Sequence, residues 1–169
     1  MKPLKQQFRH KPEEGIFGDC HRTAIAVILD CDPLDLPHEH RHLGAAEFHK
    51  LYDGWLNARG IERISLPFPG EGLSVEQALA VPVVWNPNLP CIFGGTSGTG
   101  VNHSVVAFGG AIFCDPSLTD AGIVGPCDDG YYWIDWLVIP PHAADRPPAT
   151  VRRPGRSAAA KRRQREAKS

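Results

Sequence analysis

The sequence predicts an α+β fold with its helices first and an antiparallel sheet after them. Two patterns carry that prediction. In the first half, apolar residues fall at helical spacing, as Ala24, Ile25, Ile28 and Leu29 and again as Phe48, Leu51, Tyr52, Trp55 and Leu56. In the second half, short β-branched and aromatic runs are split by the turn pair Gly109-Gly110. At 169 residues the chain suits a single folded domain with a substantial core.

The elements follow in order. Residues 1–19 read as an extended approach to a helix over about Cys20 to Leu29, with Asp19 as its N-cap. Pro33 disfavours helix in the residue before it and ends that segment. A polar loop then leads to the second helix, which Gly60 can terminate. A third, shorter helix begins at Ser74, with Gln77 completing a capping box and Pro82 closing it. Pro90 to Phe93 reads as a short strand, and Gly94 to Gly100 as a flexible lid leading into His103. Strands follow over Val101 to Phe108, Ala111 to Cys114 and Tyr131 to Ile139.

The formal charge of −1 hides an asymmetry. Residues 141–169 hold nine Lys/Arg and two Asp/Glu, a net of +7, whereas residues 1–140 carry a net of −8. The domain is therefore placed at 1–140, followed by a basic disordered tail at 141–169. Such a tail suits weak binding of nucleic acid or an acidic partner, and equally a solubilising segment. No stretch approaches the ~18 apolar residues of a membrane span, and no secretory signal opens the chain. Five cysteines cannot all pair within one chain and form no CxxC, which favours a reducing, cytoplasmic setting.

Three sets of residues bear on chemistry. His38, His40 and His42 alternate in a polar loop without metal-ligand spacing, so they read as solvated and no metal is expected. The glycine run lacks a phosphate-loop Lys and opens no helix, so no nucleotide cofactor is expected. Cys20 is different. It opens a predicted helix, where the positive end of the helix dipole favours a thiolate. His103 is a candidate base for it and Asp115 a candidate orienter of that base. Counting back from Gly109-Gly110 pairs Phe108 with Ala111 and Ser104 with Asp115. Strict pairing would leave His103 and Asp115 on opposite faces, and a bulge or diagonal contact would join them.

Together, Lys5-Gln6-Gln7, Gly18-Asp19-Cys20, Asn102-His103-Ser104-Val105-Val106 and Cys114-Asp115-Pro116-Ser117 resemble the motifs of the papain-like cysteine peptidase superfamily. The closest resemblance is to its compact bacteriocin-processing-peptidase-like branch and to small bacterial and phage relatives. It spans roughly residues 3–139. The resemblance implies Cys20 as nucleophile, His103 as general base and acid, Asp115 as its orienter and Gln6 as oxyanion donor, with Gln7 competing for the last role. It implies a papain-like fold and a cofactor-free hydrolase acting on a peptide or small amide through a thioester acyl-enzyme. His21 and Arg22 follow the cysteine where that branch has a small residue, and are expected to support the thiolate or to mark a different substrate. The alternative function is a catalytically inactive papain-like scaffold that binds a partner.

Overall fold

The computed structural model describes residues 1–39 and 41–141. The basic tail expected at 141–169 lies, beyond its first residue, outside the described residues. Three α-helices, α1 (Cys20–Leu29), α2 (Ala45–Asn57) and α3 (Val75–Trp85), pack on five strands. The strands are β1 (Glu62–Pro69), β2 (Cys91–Thr96), β3 (Asn102–Phe108), β4 (Ala111–Cys114) and β5 (Tyr131–Val138). They form one antiparallel sheet in the order β1-β5-β2-β3-β4. The architecture is α+β, as the sequence predicts. No helix among the described residues is long and apolar enough to cross a membrane.

Two cores flank the sheet. On one face, Ala24, Ile25 and Val27 of α1 and Tyr52 and Leu56 of α2 bury against Ile92 and Val106. On the other, Ala78 and Leu79 of α3 bury against Phe93, Val105, Ile134 and Trp136. Side chains alternate across a strand, so β2, β3 and β5, with apolar residues on both faces, serve both cores.

The structure departs from the sequence reading in four places. The sequence predicts no strand where β1 forms: Pro67 and Pro69 interrupt its pattern, and they are tolerated because β1 is an edge strand pairing only with β5. The helices therefore do not all precede the sheet. Pro82 does not close α3, which begins with the expected Ser74–Gln77 capping box. Proline lacks the N–H for one intrahelical bond and crowds the carbonyl four residues back, yet α3 continues to Trp85. The glycine run is part strand and part turn. Gly94-Gly95-Thr96 belongs to β2, and Ser97 closes a turn by donating its N–H to the Val101 carbonyl at 2.9 Å. A Cβ at Gly95 would lie 2.6 Å from the Gly125 carbonyl oxygen, so close backbone approach explains this glycine.

The fourth difference concerns Asp19. It precedes α1 but makes no side-chain cap. Its buried carboxylate instead takes a hydrogen bond from Arg22 Nη2 at 2.6 Å and another from the Phe8 N–H at 2.8 Å. Arg22 is itself buried and lies over the Phe8 ring, 5.7 Å from its centroid. This knot fastens the N-terminal segment to the start of α1. Removing one member of a buried ion pair strands the other charge, at a cost of about 3–5 kcal/mol. Asp19→Ala is expected to lower unfolding free energy in urea by about that amount, and Asp19→Asn, which keeps an acceptor, by less.

Candidate active site

The site is assembled from three segments. The first is the N-terminal turn of α1, which presents Cys20, half-buried, beside backbone N–H groups that lack intrahelical partners.

The second is the β3–β4 hairpin. Gly109 and Gly110 both adopt positive φ (60° and 82°), as a two-residue hairpin turn requires. Phe108 pairs with Ala111 and Ala107 with Ile112, following the sequence count. Then the register shifts, and Val106 pairs with Cys114 rather than with Phe113. One extra residue in β4 reverses the facing of everything beyond it. Asp115 is thereby turned to the side of His103, and the His103 Nε2 to Asp115 Oδ1 distance is 2.7 Å. Of the two geometries left open by the sequence, the bulged one is present.

Asp115 is held from several sides. Its Oδ1 also accepts the Ser117 N–H at 2.8 Å, and its Oδ2 accepts the Gly122 N–H at 2.9 Å. Burial would raise its carboxyl, but the bonds from His103, Ser117 and Gly122 prevail and hold it below the ordinary carboxylate range. An ionised carboxylate only accepts, so His103 Nε2 carries the hydrogen and Nδ1 is left for the thiol. Cys20 lines the same cavity as His103 and acts on its ring. Burial pulls the His103 imidazole down, yet the hydrogen bond and charge of Cys20, then those of Asp115, push it up to about 9.

The third segment is the N-terminal strip, which runs along the residues after β4. Gln6 N–H donates to the Pro116 carbonyl at 2.8 Å, and Cys114 Sγ–H to the Leu4 carbonyl at 3.4 Å. Lys5 Nζ donates to the carbonyls of Asp115 and Ser117 and pairs with Asp120. These contacts deliver the buried Gln6 side chain to the cavity that Cys20 and His103 line. One Gln6 Nε2 hydrogen goes to the Phe8 carbonyl at 2.9 Å, leaving the other for a ligand. Gln7 is exposed, does not line the cavity, and accepts from Arg22 at 3.4 Å. Of the two glutamines, only Gln6 faces the site.

The cavity measures about 610 Å³ and continues past Cys20 to a polar floor that the sequence reading missed. There, His21, His49 and Asp135 line the wall, with Arg63 of β1 behind. The available signal was Asp135 itself, an acidic residue inside the apolar run of β5. Neither His21 nor Arg22 is a free cation beside the thiol. Arg22 is committed to Asp19, and burial pushes the His21 imidazole down to about 4.

Among the described residues, no three His, Cys, Asp or Glu side chains gather as metal ligands. His40 lies outside the described residues. Burial raises the other thiols, Cys91 and Cys127 to about 12, and Cys31 and Cys114 also upward. The chain matches no family model, no curated protein and no solved structure.

A thiol on the same cavity wall as a carboxylate-bound imidazole, beside N–H groups without intrahelical partners, suits nucleophilic attack on a carbonyl.

His21 gives this site an acid limit. Its folded-state value lies below the ordinary 6.5, so the unfolded chain binds the proton first. The corresponding stability is complete above about pH 6.5 and is lost as pH falls towards about 4. His49, lowered by burial and then by Arg63, acts in the same direction. The urea midpoint is expected to drop between pH 6.5 and 4.5, and His21→Leu to flatten that slope.

Proposed function

We propose that the protein is a cysteine-dependent amide hydrolase of papain-like type. One observation carries the reading: His103, hydrogen-bonded to an anchored Asp115, shares with Cys20 the wall of a cavity large enough for a peptide segment. The order Cys20, His103, Asp115 along the chain, with Gln6 upstream, supports it further, as does the resemblance in the surrounding motifs. Five unpaired cysteines suit a reducing compartment.

In this mechanism the thiol proton already rests on His103 Nδ1, in keeping with a ring raised to about 9, and the Cys20 sulfur attacks the carbonyl carbon of the amide. The C=O pair moves to oxygen, giving an oxyanion that accepts hydrogen bonds from the Cys20 backbone N–H and Gln6 Nε2. Collapse of this intermediate breaks the C–N bond, and imidazolium His103 gives its proton to the leaving nitrogen. A thioester remains on Cys20. His103 then takes a proton from water, the resulting hydroxide attacks the thioester, and the thiolate leaves. Asp115 keeps Nε2 protonated and fixes the ring plane throughout.

Two outcomes test the reading. Iodoacetamide is expected to alkylate Cys20 readily at pH 6, leaving the four raised thiols unmodified, and His103→Ala is expected to slow labelling at least tenfold. Equal labelling of both proteins would instead favour an inert binding scaffold. Once a cleavable amide is in hand, Gln6→Ala is expected to lower kcat by about 10²–10³, the loss typical of one oxyanion donor. Gln7→Ala should leave kcat nearly unchanged, and a larger loss from Gln7 would reverse the assignment.

A further inference from the structure

The polar floor of the cavity takes no part in the chemistry described above. Asp135 sits mid-strand in β5 and is buried. Its Oδ2 accepts from Arg63 Nη1 at 3.2 Å, whereas its Oδ1 is buried with no hydrogen-bond partner among the described residues. A buried carboxylate oxygen left unpaired is costly, and a functional role is a common reason for its retention.

Arg63 does not neutralise the cluster. Its Nε and Nη2 both turn to Asp53, at 2.7 and 3.1 Å, and Nη2 also meets His49 Nδ1 at 2.8 Å. One guanidinium thus serves two carboxylates. His21, between the rings of Phe48 and Tyr52, has Nδ1 on Ser104 Oγ at 3.2 Å and its buried Nε2 unpartnered among the described residues. With both imidazoles neutral, Asp53, Asp135 and Arg63 sum to one surplus negative charge.

The walls suit the same occupant. Phe48, Tyr52 and Trp133 line this end of the cavity, and Asp129 Oδ2 holds the Trp133 indole N–H at 2.9 Å. Aromatic faces beside a carboxylate attract cations, and desolvation strengthens the attraction.

We infer that Asp135, with the aromatic walls of Phe48, Tyr52 and Trp133, forms a subsite for a cationic side chain, ammonium or guanidinium, of the substrate. The inference deepens the proposed function by naming a substrate class for the same cavity, and its test needs no chemistry at Cys20. In Cys20→Ala protein, N-acetyl-lysine amide is expected to bind at least tenfold more tightly than N-acetyl-norleucine amide, measured by NMR titration. Equal affinity, tighter norleucine binding, or no binding of either at millimolar concentration would overturn the subsite. Asp135→Asn is expected to remove the lysine preference. Trp133→Leu, which leaves the Arg63 ion pairs intact, should weaken the lysine compound more than the norleucine one. Because these are binding measurements, an inert Cys20 in the alkylation experiment would defeat the hydrolase reading without touching this result, and the converse also holds.

Discussion

The arrangement at the site depends on one extra residue in β4. Without the shift between Val106 and Ala107, Asp115 would continue an ideal ladder and face away from His103. With it, a single hydrogen bond of 2.7 Å links carboxylate to imidazole. The bulge alone would leave the carboxylate free to swing. The Ser117 and Gly122 amides prevent that, because each of its oxygens also accepts from a backbone N–H in the loop beyond β4. Orientation of the imidazole thus follows from a carboxylate that backbone amides hold on both oxygens.

A second constraint joins the segments that the hairpin does not reach. Residues 4–6 lie along residues 114–117, and the Asp19–Arg22 pair ties Phe8 to the first turn of α1. Gln6 is therefore positioned by contacts to both the Asp115 loop and the segment carrying Cys20. A buried ion pair adds little net stability over an apolar replacement, so its retention here fits a role in fixing geometry. Arg22 accordingly belongs to the framework of the site rather than to its reactive field.

Much of the fold was legible because local signals agreed with tertiary packing. α1 and α2 announce themselves through apolar spacing, α3 through Ser74 and Gln77, and the β3–β4 turn through Gly109-Gly110. The sequence was silent where the deciding contact is distant. β1 carries two prolines and becomes a strand only because β5 offers it a ladder. Asp19 has the chemistry of an N-cap, but Arg22 and the Phe8 amide compete for its oxygens and win. Cys20, His103 and Asp115 could be picked out by residue type and order, whereas their convergence turned on a bulge that no residue in β4 advertises. The polar floor was hidden for a similar reason. Arg63, Asp53, His49 and Asp135 come from different elements and acquire meaning only as neighbours.

The same cavity holds an end lined by Cys20 and His103, and a polar floor where a carboxylate oxygen has no hydrogen-bond partner among the described residues. The first is the more decisive for the proposed hydrolysis, which passes through the state of the His103 ring. That state is directly measurable by long-range ¹H–¹⁵N NMR of the imidazoles across pH. The account predicts a His103 ring that keeps its proton until about pH 9, with Nε2–H hydrogen-bonded, and that returns towards ordinary histidine behaviour in Cys20→Ala. A His103 ring that titrates near 6.5 in both proteins would contradict it.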